Sequence, residues 1–358
     1  MTLKKYQAEI ETCFGTSCNF CERNCPVYKI HQNKTLTSRG KNRTALGILQ
    51  GKVKASEKLA QALFQCTQCG SCERWCALPD TEIQRELRAY VNQEGFELEI
   101  HAANRDKILE TGNPYGSPDK LAWQDKFEFS GDILFFGGCT QPIKQSELLE
   151  TMIKLIGPEN LKAIPEEPCC GSYLFRTGYI QEYEALRDKL VNQLRENNIT
   201  EIVTSCAGCY STLKHGLAEV MDDSVKVMHA IEKIEEMISE GVIKVRSTGK
   251  KITYHDPCHL GRLGEVFEPP REVIKHLGTL VEMEKNRFES QCCGAGGGVK
   301  AGFPALAEDM AKNRIEQAKS TGADILVTVC PFCELHLGSV GGMEVRNLIA
   351  LVYENRIQ

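Results

Sequence analysis

Eighteen cysteines in 358 residues dominate the chemistry open to this chain, and their spacing narrows it. Cys13, Cys18, Cys21 and Cys25 form C-x4-C-x2-C-x3-C and run directly into Pro26. Cys66, Cys69, Cys72 and Cys76 form C-x2-C-x2-C-x3-C, with Pro79 close behind. Thiolates this close together let one loop wrap three corners of an iron–sulfur cubane while a distant segment supplies the fourth. Zinc sites use C-x2-C pairs separated by longer gaps, so the density favours iron and sulfide. Disulfides fit short, secreted chains. Residues 1–11 show no apolar run with a small-residue cleavage site. No stretch reaches the roughly 18–20 apolar residues of a membrane span. The expected compartment is a reducing cytoplasm, where clustered thiolates bind metal.

In two-cluster ferredoxins the last cysteine of each run serves the other cluster. By that crossing, Cys13, Cys18, Cys21 and Cys76 would hold one cubane, and Cys66, Cys69, Cys72 and Cys25 the other. The two extra residues between Cys13 and Cys18 reshape the first loop without removing a ligand. The remaining ten cysteines fall into two matching sets: Cys139, Cys169-Cys170-Gly171 and Cys206-x-x-Cys209, then Cys258, Cys292-Cys293-Gly294 and Cys330-x-x-Cys333. Equivalent positions are offset by 119, 123 and 124 residues, the period of a duplicated domain, not a solenoid. Five thiolates exceed the four corners of a cubane, so each set asks for a bridging thiolate or an open cluster. Gly171 and Gly294 would let the backbone turn sharply or approach the metal. Every cysteine is then assigned.

Elements must bring these residues together. Residues 44–50 and 56–64 read as helices from Leu46, Ile48, Leu49 and Leu59, Leu63, Phe64, and residues 77–110 add another through Ile83, Leu87 and Tyr90. Residues 113–131, rich in Gly and Pro, read as a linker. Short apolar runs at 132–136, 201–204, 251–254 and 324–329 each end just before a cysteine. Helical patterns over 180–197 and 304–320 precede the C-x-x-C strands. Such alternation predicts mostly parallel sheets with the cysteines at the strand carboxyl ends. The expected fold class is α+α/β: a helical two-cluster ferredoxin domain (1–112), a first α/β domain (132–246) and its duplicate (247–358).

The helical N-terminal part resembles the ferredoxin type of fumarate-reductase-like iron–sulfur subunits. The pattern C, C-C-G, C-x-x-C resembles the CCG (cysteine-rich) domain of heterodisulfide reductases, closely so in "DPCHLGR", "CCGAGGG" and "TGADILVTVCPFCELHL". The whole layout, over about residues 10–340, resembles the fused catalytic (D-type) subunit of heterodisulfide reductase. It is also similar to iron–sulfur subunits of glycolate, lactate and anaerobic glycerol-3-phosphate dehydrogenases. The resemblance implies one noncubane [4Fe-4S] cluster per complete five-cysteine set, beside the two cubane [4Fe-4S] clusters. Both sets are complete here, which tilts the reading toward disulfide reduction. Each centre would then take one sulfur of the substrate, so that single-electron steps release no free thiyl radical, and the substrate would sit between the two repeats. Two alternatives stand beside it. One is the electron-transfer subunit of a flavin-dependent hydroxy-acid dehydrogenase delivering electrons to a quinone or cytochrome. The other is a wiring subunit with no substrate of its own.

The two C-x-x-C pairs follow strands as a thioredoxin-like motif would, but the C-C-G pairs upstream make metal ligation the better account. Gly294-Ala295-Gly296-Gly297-Gly298 follows two cysteines instead of a strand, unlike a dinucleotide fingerprint, and reads as a loop packed around a cluster. In "HDPCH", Asp256 and Pro257 could cap and start a helix, with His255 at a strand end. His259 is the candidate catalytic proton donor or hydrogen-bond donor to a cluster sulfur, and Arg262 the candidate holder of an anionic substrate. Net charge is −5, which gives no sign of nucleic acid. Yet eight basic residues lie between Lys29 and Lys58 against the single acid Glu57. That run reads either as a solvated face or as a surface that steers an acidic partner and offsets thiolate charge. No flavin, nicotinamide or haem motif is visible. A redox partner subunit (a flavoprotein, an electron-transfer flavoprotein or a membrane cytochrome b) is therefore implied, with any membrane contact made through it at the inner face. A small disulfide or thiol is the other expected partner.

Overall fold

Apolar strands followed by helices pair in parallel when both faces can be covered. The computed structural model describes residues 2–221 and 224–357; residues 1, 222, 223 and 358, which fall within the expected domains, lie outside the described residues. β1 (Ile133–Phe136), β2 (Leu161–Lys162), β3 (Glu201–Thr204) and β4 (Lys226–His229) form one sheet in the order β2-β1-β3-β4. β5 (Lys251–Tyr254), β6 (Thr279–Leu280), β7 (Ile325–Thr328) and β8 (Val345–Asn347) repeat it as β6-β5-β7-β8. All pairings are parallel. Phe136 stands beside Thr204 and Tyr254 beside Val327, so the central strands of each sheet end in step and their cysteine loops leave one edge together. The four expected strands are present. The edge strands were not legible because two to four residues carry too little pattern.

Both faces of β1 are buried: Phe135 joins one core, Leu134 and Phe136 another. The first of these cores is continuous between the sheets. Helices Ser146–Ile156, Ala230–Ser239, Glu268–Leu277 and Leu348–Asn355 pack against one another there, so the repeats are fused through a shared layer. Each buried Leu, Ile or Phe contributes about 2 kcal/mol.

The N-terminal region is helical. Thr37 caps helix Ser38–Leu49 by accepting from Gly40 N, and Ser56 caps Glu57–Phe64 by accepting from Leu59 N. The pattern expected over 77–110 splits into Asp80–Gln93 and Glu99–Thr111, because Gly95 takes φ +82°, a conformation a helix cannot continue. Residues 113–131 are packed, not loose: Trp123 is 3% exposed and joins the inter-sheet core, and its flanks form short 3-10 turns. Among the described residues no helix is long and apolar enough to cross a membrane.

Candidate metal centres and the cavity between the repeats

The first cysteine run is shaped by helix Gln7–Gly15, which ends near Cys13, and by short helices Phe20–Asn24 and Pro26–His31, which present Cys21 and Cys25. Cys76 is pushed up to about 11 by burial, and beyond Asp80 its charged neighbours are Cys13 and Cys18. Cys25 is likewise pushed up to about 11 by burial, with Cys66 and Cys69 among the charges around it. The fold thus brings Cys76 to the first run and Cys25 to the second. Lys41, 3% exposed, supplies positive charge to Cys25. Part of the basic run therefore points inward, while Arg39 holds the loop by donating to the carbonyls of Thr16 and Cys18.

In the first repeat Cys139 and Cys169 lie with sulfurs 3.5 Å apart, and Cys209 touches Cys170 and Cys206. In the second, Cys293 and Cys333 are 3.5 Å apart, Cys292 touches Cys258 and Cys293, and Cys333 touches Cys330. Two further contacts link the sets. Cys206 meets Cys330 across the repeats. Cys69 meets Cys292, whose hydrogen bond pulls the Cys69 thiol down to about 6. The sulfurs therefore form one continuous path from the second N-terminal run through the second repeat to the first. Buried thiols in contact repel one another once ionised, and the crowding holds Cys139, Cys170, Cys292 and Cys333 well above the usual thiol range. Soft donors in groups of five, more than tetrahedral zinc accepts, fit an iron–sulfur centre.

Gly171 and Gly294 adopt φ +75° and +97° and turn each C-C-G loop into the following segment. Gly297, at φ +60°, lies so close to the second run that a Cβ would sit 2.8 Å from the Cys66 and Thr67 carbonyl oxygens. The glycine-rich stretch is therefore a close-approach loop against another cysteine segment.

Nine cysteines from both repeats, all but Cys292, line one cavity of about 180 Å³. Cations reach it from either side. Arg176, 4% exposed, stands on helix Ser172–Thr177 and donates to Ser172 and Ser211 hydroxyls at 3.2 and 3.5 Å; burial lowers it to about 10. Lys300 lines the wall near Cys293, and burial lowers it too. Neither was singled out in the sequence, although each follows its C-C pair at a similar distance.

His259 lines the cavity, and its Nε2 is buried without a hydrogen-bond partner. His255 sits deeper. Its Nδ1 accepts from Arg314 Nε at 3.1 Å, leaving Nε2 to carry the proton, and one ring nitrogen lies within 4.8 Å of the Cys293 and Cys333 sulfurs. Two expectations need correction. Asp256 caps no helix: both its oxygens are held by the buried guanidinium of Arg271 at 2.8 and 3.0 Å, and residues 258–264 form turns. Arg262 does not line the cavity. It donates to the carbonyls of Cys69, Phe288 and Ser290 and so braces the seam between the second run and the second repeat, with Nη2 buried and without a partner. Burial opposes its charge, but Cys69, Cys258 and Cys292 hold its pKa above the ordinary value. Lys120 plays the corresponding part in the first repeat: burial opposes its charge, and Glu167, Cys139, Cys169 and Cys170 outweigh that.

Comparison with known families agrees with this geometry. The cysteine-rich domain (CCG) matches residues 133–214 and again 252–338, and the 4Fe-4S dicluster domain matches residues 9–78. The chain is 32% identical to the D-type subunit of the dihydromethanophenazine:CoB–CoM heterodisulfide reductase of Methanosarcina acetivorans, over 96% of this chain and 93% of the relative. It is 30% identical to the B-type subunit of the fumarate reductase (CoM/CoB) of Methanothermobacter marburgensis, over 94% and 72%. It is 26% identical to the EtfAB:quinone oxidoreductase of Syntrophomonas wolfei, over 76% and 43%. The fold and the thiol groups define an iron–sulfur oxidoreductase chain built from a dicluster region and a duplicated cysteine-rich domain. It belongs to the family of heterodisulfide reductase D-type subunits.

Proposed function

We propose that this chain reduces a disulfide in the cavity between its two repeats, with electrons arriving through the N-terminal region. The supporting observation is the convergence of nine cysteines from both repeats on one cavity, with Cys206 against Cys330. In this reading Cys13, Cys18, Cys21 and Cys76 hold one cubane [4Fe-4S] cluster and Cys25, Cys66, Cys69 and Cys72 the other. Cys139, Cys169, Cys170, Cys206 and Cys209 hold one noncubane [4Fe-4S] cluster, and Cys258, Cys292, Cys293, Cys330 and Cys333 its counterpart. When bound, such clusters supply single electrons and, where a corner is open, an iron site for sulfur.

The protein's own side chains do the rest. Reduction breaks one sulfur–sulfur bond, consumes two electrons and two protons, and releases two thiols. His259, buried and unpartnered at Nε2, is placed to deliver one proton. Arg176 and Lys300 attract anionic groups on the substrate. The domains extend over 1–112, 132–246 and 247–358, and the electrons come from a flavoprotein, an electron-transfer flavoprotein or a membrane cytochrome b, which would also provide any membrane contact. The dehydrogenase-subunit and wiring readings need no cavity shared by two complete cysteine sets.

The test is iron and sulfide analysis of anaerobically purified protein, with EPR recorded with and without thiol. About sixteen irons per chain, four per cluster, and a thiol-dependent signal lost in Cys170→Ser or Cys293→Ser are expected. About eight irons, or a spectrum indifferent to thiols, would leave the repeats as scaffold or wire.

A further inference from the structure

Around the first cysteine run the surface is both aromatic and cationic. Cys18 is exposed, unlike the other seventeen cysteines. Phe14, Phe20 and Trp75 are 54%, 46% and 50% exposed, and each adjoins a cysteine of one set: Cys13, Cys21 and Cys76. Each ring also carries an arginine. Arg43 lies 5.8 Å from the Phe14 centroid, Arg23 5.8 Å from Phe20 and Arg74 4.6 Å from Trp75. A groove of about 540 Å³ runs beside Cys18 past Arg39 and Arg43 to the exposed Val53. The acid in its wall, Glu22, is neutralised by Lys34 at 3.2 Å, so the groove presents net positive charge.

Solvation alone does not call for large rings beside these cysteines. Aromatic residues and arginine are the types that anchor protein interfaces, and a cation over an exposed ring gives up that contact at modest cost. We propose that this face docks a redox protein whose surface is acidic around an apolar centre, the complement of arginines ringing exposed aromatics. The partner would be oxidised by one electron as the centre held by Cys13, Cys18, Cys21 and Cys76 is reduced. The inference rests on that ligand assignment but not on the chemistry of the cavity. Opposite charge would steer encounter and make its rate fall with salt.

The probe is flavodoxin hydroquinone, an acidic protein reductant, mixed by stopped flow with the cluster-loaded full chain. Methyl viologen radical, a small cation, serves as the reference reductant. The flavodoxin rate is expected to fall at least tenfold between low and high salt, and tenfold again in Arg23→Glu/Arg43→Glu. Arg74 is left intact in that variant because it also packs on Phe288. Phe20→Ser/Trp75→Ser should also slow flavodoxin while changing the viologen rate less than twofold. Should the charge variant not fold, the salt series on the unmodified chain and the aromatic variant still decide. A flavodoxin rate indifferent to salt and to both variants, in protein whose iron content is complete, overturns the docking face. Iron short by one cubane in the unmodified chain overturns the ligand assignment, and the docking face with it.

Discussion

His255 shows how one buried side chain can tune a neighbouring centre. Arg314, itself 0% exposed, donates to Nδ1 and so leaves the proton on Nε2, in a ring that has one nitrogen within 4.8 Å of the Cys293 and Cys333 sulfurs. Hydrogen bonds to cluster sulfurs raise reduction potential because the reduced state carries more negative charge. His255→Phe should lower the midpoint of the second repeat's centre by about 40 mV, equivalent to about 1 kcal/mol per electron. An EPR-monitored redox titration reads this directly, and an unchanged midpoint would show the histidine to be packing only. Lys120 carries a different load. Its ammonium sits 3.4 Å from Glu167, with both groups almost fully buried, while Glu167 accepts from Gly137 and Gly138 N and so shapes the turn before Cys139. Lys120→Met leaves a buried carboxylate without its cation, and stability should drop by about 3–5 kcal/mol. Anaerobic denaturant titration measures the loss, and adding Glu167→Gln should recover part of it.

At the scale of elements, parallel pairing decides where the chemistry is displayed. Because the central strands of each sheet finish level, the loop after β1 and the loop after β3 deliver Cys139 and Cys206 to one place, as those after β5 and β7 deliver Cys258 and Cys330. The glycine-rich loop after Cys293 then has to meet the loop of the second N-terminal run. At Gly297 a methyl group would require positive φ and would intrude on the Cys66 and Thr67 carbonyls. Gly297→Ala should cost about 1–3 kcal/mol and widen the seam between Cys69 and Cys292. The expected signature is slower arrival of electrons in the repeats after rapid reduction of the N-terminal region, followed by optical stopped flow. Unaltered kinetics in the folded variant would show that this seam is not on the route.

Across the whole molecule, two residues of the N-terminal region hold all three parts together. Arg88, fully buried, donates to the carbonyls of Leu63, Cys66, Arg176 and Gly297. His101 hydrogen-bonds the Gly298 carbonyl at 3.0 Å and stacks edge-on to Phe64 and Tyr173. Burial lowers His101 to about 4, the Gly298 carbonyl opposing that shift and Arg88 adding to it. The unfolded chain binds this proton near pH 6.5 and the folded one only near 4, so acidification favours unfolding. The His101 contribution should be level above about pH 7 and decline below pH 6.5 with a slope approaching 1.4 kcal/mol per pH unit, and His229, which burial also lowers to about 4, adds a like decline in the same window. His101→Gln, which keeps a donor for Gly298, should remove about half of that slope and leave the His229 share. An unchanged slope in the variant would assign the acid sensitivity elsewhere.

Much of this was legible in the chain itself. Cysteine spacing at short range dictates which loops can wrap metal, and a repeat of about 120 residues announces two copies of one unit. The four central strands were readable because β-branched and aromatic runs ended at cysteines. Spacing does not report what faces what across a hundred residues. The meeting of Cys206 with Cys330, and of Cys69 with Cys292, follows from two sheets sharing one helical layer and from a glycine loop seated on a distant carbonyl. The roles of the charged residues were equally hidden. Arg262 faces a seam, Arg176 and Lys300 face the cavity, and Lys41 and Lys120 are buried counter-ions, because a basic residue's function depends on whether tertiary packing removes it from water and on which thiolate it then meets.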